Sequence, residues 1–119
     1  MRSSAVLILA TALLPSAFGR LLGGEVGVLF SEPNANGYKQ VTRIDGRCRQ
    51  LNPHLAENVG SLYIEEGASC DLFEDTHCEK YVYEVEPTGE DNLFDSGVGY
   101  ISNSVRCDYL RDVYRVQEF

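Results

Sequence analysis

An aromatic residue stands seven positions before a glycine in the stretch FSEPNANG, which spans Phe30–Gly37. Glycine at such a place suits a hairpin that needs a positive φ, because it has no Cβ to clash. Further along, Ser61 precedes the apolar strand residue Leu62. A serine hydroxyl there could bond backbone groups of the folded hairpin, which is a structural role. This pattern therefore predicts a folded β-hairpin that is held by a serine of the same unit.

The pattern occurs twice, because a shift of 43 residues places Phe30 on Phe73 and Ser61 on Ser104. Two units of this length, each with four strands, form two Greek keys, and neither unit can bury both its faces alone. We therefore predict an all-β fold in which the two units pack as two sheets face to face. The predicted strand runs are Val26–Phe30, Tyr38–Ile44, Val59–Ile64, Asp71–Phe73, Tyr81–Val85, Asn92–Phe94 and Ile101–Cys107.

The N-terminal residues have the pattern of a secretory signal. Met1–Ser4 carries one positive charge, Ala5–Leu14 is an apolar run, and Ala17 and Gly19 supply the small residues of a cleavage site. The apolar run is too short to span a bilayer, which takes about 20 residues. We expect residues 1–19 to be a signal peptide and residues 20–119 to be one secreted, extracellular domain without a membrane span.

The composition restricts the class of partner. The formal net charge of −8 argues against nucleic acid and anionic membranes, and it permits a cationic partner.

The cysteine count predicts the number of disulfides. An even number of cysteines in an exported chain indicates two disulfides, for which three connectivities exist. The four cysteines are Cys48, Cys70, Cys78 and Cys107.

The sequence offers no convincing catalytic or metal site. No nucleophile motif such as G-x-S-x-G is present, and the two histidines, His54 and His77, fall in predicted loops where we expect them to be exposed. A zinc site at Cys70, His77 and Cys78 would lack its fourth ligand and the usual spacing. A glycosidase needs a sizeable cleft between its two catalytic carboxylates, and a compact domain of about 100 residues rarely offers one. We therefore expect no enzymatic activity, no metal and no cofactor.

The aromatic-x6-glycine opening with its later serine, repeated over about residues 25–108, resembles the βγ-crystallin Greek-key motif, in particular small secreted βγ-crystallin-like proteins of filamentous fungi. The stretches Val59–Ile64 and Cys70–Asp75 carry this resemblance, whereas Lys80 occupies the place of the glycine in the second unit. The resemblance implies a first Greek key at about 25–66, a second at about 68–108 and a C-terminal extension at 109–119. This apolar extension forms an added strand, a short helix or a partner-binding tail. The motif residues are Phe30, Gly37, Ser61, Phe73 and Ser104.

The resemblance also implies a disulfide pairing. In the crystallin topology the third strand of each unit crosses to the other sheet and lies beside the fourth strand of the other unit. This arrangement favours a Cys48–Cys107 bridge. Cys70–Cys78 would then close a short loop and hold the hairpin that lacks its glycine.

Many βγ-crystallin domains bind calcium through a stretch (Asn/Asp)-(Asn/Asp)-x-x-(Ser/Thr)-Ser. The matching stretches here, Ala56–Ser61 and Gly99–Ser104, share only the final serine with that pattern. Glu57 could replace one acid in the first stretch, and the second has no carboxylate. Calcium takes six to eight hard oxygen ligands, so we expect no tight calcium site.

The resulting functional expectation is a secreted, disulfide-stabilised, non-enzymatic protein that acts outside the producing cell as an effector or toxin-like binding protein. Its partner would be an extracellular protein or a cell-surface molecule of unknown identity. A proteinase inhibitor is an alternative, since a rigid exposed loop at Cys70–Cys78 would suit that role. A structural extracellular or spore-coat protein is another. The molecular target and the oligomeric state stay open.

Overall fold

The computed structural model describes residues 26–110, so the predicted signal peptide, residues 20–25 and residues 111–119 lie outside the described residues. Within that range the regular secondary structure is all strand except for one short 3-10 turn at Val98–Tyr100. No helix in this range is long and apolar enough to cross a membrane. The strands are β1 (Val26–Glu32), β2 (Asn36–Arg43), β3 (Cys48–Gln50), β4 (Ser61–Ile64), β5 (Ala68–Phe73), β6 (Tyr81–Val85) and β7 (Ser104–Tyr109).

The strands form two antiparallel sheets, one with the order β2-β1-β4 and one with the order β3-β7-β5-β6. Strand β3 belongs to the first unit but pairs with β7 of the second, with Cys48 opposite Arg106 and Gln50 opposite Ser104. The prediction of an all-β fold of two Greek-key units is confirmed.

The predicted strand at Asn92–Phe94 is wrong, because the third strand of the second unit is reduced to a single bridge between Leu62 and Glu90. After this bridge the chain turns, since the Asn92 side-chain oxygen accepts a hydrogen bond from the Phe94 N–H at 3.0 Å. Asparagine favours such a turn because its side chain can bond the backbone two residues further on.

The core lies between the inner faces of the two sheets and follows the two-residue period of the strands. In β5, Ala68, Cys70 and Leu72 are completely buried, whereas Ser69 and Asp71 point to the other face and are only half-buried. The loop between β3 and β4 closes one end of the core. The main buried cluster also contains Leu29, Leu51, Leu55, Val59, Leu62, Val85, Leu93, Val105 and Cys107.

The outer faces of the two sheets differ in chemistry. On the outer side of β1, Val26, Val28 and Phe30 form a second buried cluster against Tyr63. The shift of 43 residues places Ser69 and Asp71 on the corresponding positions of β5, and both are half-buried. The two outer faces therefore differ at these two positions, which are apolar in β1 and polar in β5.

The last strand reaches further than the repeat predicted. Tyr109, which the sequence analysis placed in the C-terminal extension, pairs with Ala68 as the final residue of β7. The Leu110 N–H then donates to the Gly67 carbonyl at 2.8 Å. The remainder of the predicted extension lies outside the described residues.

The disulfides are Cys48–Cys78 and Cys70–Cys107, with Cα–Cα distances of 5.9 and 4.0 Å. The predicted pairs Cys70–Cys78 and Cys48–Cys107 are therefore wrong, although all four cysteines are bridged. Neither bridge closes a short loop, because the sequence separations are 30 and 37 residues.

Strand register explains this pairing. Cys48 lies opposite Arg106 of β7 and is exposed on the outer side of its sheet. Cys107, which follows Arg106 on β7, is fully buried on the inner side. Adjacent residues of a strand point to opposite faces, so Cys48 cannot reach Cys107. Cys107 instead lies directly opposite Cys70 on β5, and both side chains face the core.

Peptide mapping under non-reducing conditions tests this pairing. Trypsin together with a glutamate-specific protease separates all four cysteines, since Glu74 lies between Cys70 and Cys78. We expect the Cys48 peptide to be joined to the Cys78 peptide. A Cys48 peptide joined to the Cys107 or Cys70 peptide contradicts the observed register.

The two bridges should also contribute similarly to stability. Loops of 30 and 37 residues differ little in closure entropy, so replacing either cysteine pair by alanine should lower the free energy of unfolding by about 3–4 kcal/mol. Denaturant unfolding of the two double variants measures this difference. A loss confined to one pair would show that loop closure does not account for the stabilisation.

Candidate functional site

A buried serine hydroxyl holds the β1–β2 hairpin of the first unit against its sheet. Ser61, at the start of β4, is fully buried. Its Oγ donates to the Glu32 carbonyl at 2.8 Å and accepts from the Ala35 N–H at 3.1 Å. One side chain thus satisfies one acceptor and one donor of the hairpin backbone.

The second unit repeats this arrangement at the positions 43 residues further on. Ser104 is fully buried, and its Oγ donates to the Asp75 carbonyl at 2.7 Å and accepts from the Cys78 N–H at 3.1 Å. Ala35 and Cys78, which donate to the two serines, both have left-handed backbones with φ of 62° and 57°. We call each arrangement a serine clasp.

The two hairpins reach this shape by different means. In the first, Gly37 has φ of 85°, and a Cβ there would collide with the Ser31 hydroxyl, which accepts the Tyr38 N–H at 2.8 Å. In the second, Lys80 replaces that glycine without a positive φ. The Cys78–Cys48 disulfide fastens this hairpin to β3.

The Asp75 carboxylate organises the second hairpin from within. It accepts the backbone N–H groups of His77, Glu79 and Lys80 at distances between 2.8 and 3.2 Å. Desolvation acts to raise the pKa of Asp75, but these N–H donors outweigh it and hold the pKa below its ordinary value. The Asp75 carboxylate therefore stabilises the second hairpin, in which Lys80 stands at the glycine position.

The motif aromatics Phe30 and Phe73 occupy equivalent places beneath the hairpins, and both are buried. Phe30 makes an edge contact with Tyr63 at a centroid distance of 6.0 Å, and Phe73 makes one with Tyr81 at 6.1 Å. The Arg106 guanidinium also lies 5.0 Å from the centre of the Phe73 ring. These rings support the hairpins and are not offered to a ligand.

The stretches that correspond to the calcium-binding pattern are occupied by internal contacts. Gly60 stands where that pattern has serine or threonine, and a Cβ there would collide with the backbone of Glu32 and Pro33. The Glu57 carboxylate accepts a hydrogen bond from the Asn103 amide at 3.1 Å. Within residues 26–110 no three His, Cys, Asp or Glu side chains are grouped to hold a metal ion.

An open groove of about 480 Å³ lies between the first hairpin and the loops at one end of the sandwich. We call it the hairpin groove. It is lined by aromatic and polar residues, and its volume falls in the usual range of small-molecule sites. Its lining residues are Ser31, Glu32, Gly37, Tyr38, Asn58 and Phe94.

The two aromatic residues of the hairpin groove are each backed by a second ring. Tyr38 stacks on His54 with a centroid distance of 3.9 Å and an angle of 9°, and Phe94 stacks on Tyr100 at 4.5 Å and 23°. His54 is exposed, as predicted, but its ring is engaged in this stack. Sequence analysis missed the groove, because its residues come from four separate segments.

A row of charged side chains crosses the outer face of the second sheet. Asp71 on β5 lies between Glu84 on β6 and Arg106 on β7. Partial burial raises the pKa of Asp71, the neighbouring Glu84 carboxylate raises it further, and Arg106 lowers it by less. The pKa of Asp71 therefore lies above its ordinary value, so the folded state disfavours the ionised form.

Replacing either clasp serine should destabilise the fold. In Ser61→Ala and Ser104→Ala a carbonyl and an N–H of the hairpin lose their partner at a fully buried side chain, which should lower the free energy of unfolding by about 1–3 kcal/mol. Thermal or urea unfolding measures the loss, and Ser69→Ala on the half-buried side of β5 is the control. If either variant unfolds like the parent but loses a measured binding activity, that serine has a functional role instead.

Asp71→Asn should stabilise the protein at neutral pH. The pKa of Asp71 is higher in the folded state than in the unfolded state, where it lies near 3.8. This difference stabilises the fold fully at pH values below the unfolded-state pKa, and the stabilisation is lost as the pH rises through the folded-state pKa. The variant should gain about 0.2–1 kcal/mol at pH 7, the range for removing a cross-strand like-charge pair. The gain should vanish below about pH 4. Melting curves across pH test this, and a lower midpoint at pH 7 would mean that the Arg106 attraction dominates.

No protein-family model matches this sequence, and no curated protein matches it. Solved structures do match. A βγ-crystallin domain from Flavobacterium johnsoniae is 17% identical, with a TM-score of 0.60, and the match covers 73% of this chain and 98% of that one. The N-terminal domain of Protein S is 12% identical, with a TM-score of 0.57 and coverages of 71% and 97%.

A βγ-crystallin domain of the Abundant Perithecial Protein from Neurospora crassa, solved in a Ca²⁺-bound form, is also similar. It is 16% identical, with a TM-score of 0.56 and coverages of 71% and 89%. At such identities the likeness establishes the fold, and the fold of this chain is that of the βγ-crystallin domains.

Proposed function

We propose that this chain is a small secreted binding protein without enzymatic activity, which acts outside the producing cell as an effector or toxin-like protein. The βγ-crystallin fold and the two disulfides are compatible with a non-enzymatic extracellular protein. Disulfides persist in oxidising compartments, and small secreted domains use them to supplement a limited core. The predicted signal peptide at residues 1–19 supports the same location.

The observation that carries the proposal is the hairpin groove on a cross-linked scaffold. The groove offers the exposed Tyr38 and the half-buried Phe94, whose rings are each backed by another ring. A rigid surface loses little conformational entropy when a partner binds, and aromatic side chains contribute strongly to interfaces. We infer that the groove contacts an extracellular protein or a cell-surface molecule.

A matched pair of tyrosines tests this proposal. Tyr38 and Tyr81 are equivalent in the repeat and equally exposed at 59%, but only Tyr38 lines the groove. The oxidised, purified protein applied to host or competitor cells should cause a growth or cell-death response. Tyr38→Ala should lose most of this response, and Tyr81→Ala should keep it. Retention of the native protein inside the producing cell, or equal loss in both variants, contradicts the proposal.

A proteinase inhibitor is the second candidate, and the second hairpin favours it. Asp75 accepts three backbone N–H groups of this loop, and the Cys48–Cys78 bridge fixes it to β3, so exposed His77 lies on a rigid segment. Assays against a panel of serine, cysteine and metalloproteinases, with His77→Ala as the variant, separate the two candidates. Inhibition that depends on His77 but not on Tyr38 would favour the inhibitor.

A further inference from the structure

The two aromatic residues that line the hairpin groove are each held by a stacked ring. Tyr38 and Phe94 line the groove, while their stacking partners His54 and Tyr100 do not. Each lining ring is therefore supported from outside the groove, which fixes its orientation before any ligand arrives. Little side-chain entropy remains to be lost on binding.

Two acceptor groups of the groove are uncommitted, the Glu32 carboxylate and the Asn58 side-chain oxygen. Glu32 is exposed, and its carboxylate forms no hydrogen bond or ion pair with residues 26–110. The Asn58 amide nitrogen donates to the His54 carbonyl at 3.2 Å, and its side-chain oxygen accepts no hydrogen bond within the same range. A negative charge and a hydrogen-bond acceptor thus stand beside the two rings.

These groups together select one ligand chemistry. The carboxylate and the overall charge of −8 favour a cation, and the faces of aromatic rings attract cations as well. A linear polyamine would satisfy the charge but would not cover the rings. A pyranose ring can place its C–H face on an aromatic ring and donate hydroxyl groups to Asn58.

We propose that the hairpin groove binds a saccharide whose pyranose ring carries a free amino group. The sugar ring lies against Tyr38 or Phe94, and the ammonium group pairs with Glu32. This inference rests on the proposed extracellular binding function and names the chemistry of its ligand. It would direct the protein to cell surfaces that expose amino sugars.

Calorimetric titration of the oxidised protein with a β-1,4-linked glucosamine tetramer tests the inference. We expect saturable binding that weakens with added salt. Tyr38→Ala and Phe94→Leu should each weaken binding by about fivefold or more, and Glu32→Gln by about two- to fivefold. Tyr81→Ala and Glu79→Gln are the matched controls and should bind like the parent. Thermal melting confirms that each variant is folded.

Two competitors separate the parts of the proposal. The N-acetylated tetramer keeps the sugar rings without the charge, and spermine keeps the charge without a sugar ring, so both should bind more weakly than the glucosamine tetramer. Equal binding of either competitor, equal loss in the control variants, or no binding overturns the inference. If the Tyr38-dependent cell response persists in that case, the proposed function stands and only the ligand class is wrong.

Discussion

The structure depends on a serine hydroxyl that bonds the backbone of a folded hairpin. In each unit the Oγ of Ser61 or Ser104 donates to one carbonyl and accepts from one N–H. The hydroxyl thus gives both backbone groups a partner within the protein, and this holds the hairpin against its sheet. With the hairpin held down, Phe30 and Phe73 are covered, and Gly60 can pack against the backbone of Glu32.

The sequence was sufficient for those parts of the fold that depend on local pattern. The 43-residue shift aligned Phe30 with Phe73 and Ser61 with Ser104 because both units use the same serine hydrogen bonds to hold a folded hairpin. The predicted strand at Asn92–Phe94 was wrong because apolar character does not show that an asparagine side chain will turn the chain. The disulfide pairing was wrong because it depends on register, and a shift of one residue moves a side chain to the other face of the sheet.

The repeat is symmetric in its backbone but not in its chemistry. The first hairpin uses Gly37 and leaves an open groove beside it, whereas the second uses Asp75 and a disulfide and is fastened to β3. The groove could not be read from the sequence, since Glu32, Tyr38, Asn58 and Phe94 meet only after both units have folded. The first unit thus keeps an accessible surface, while the second unit contributes three of the four bridged cysteines.

The observed bridges have a consequence for how the chain oxidises. Cys70 and Cys78 are eight residues apart, so in the unfolded chain they meet far more often than cysteines separated by 30 or 37 residues. Early oxidation should therefore form a bridge between Cys70 and Cys78, which the strand register of the folded protein does not allow. Thiolate attack on that bridge must then exchange it for the native pairs. Formation of the native bridges consequently depends on an isomerase or on a redox buffer that keeps exchange possible.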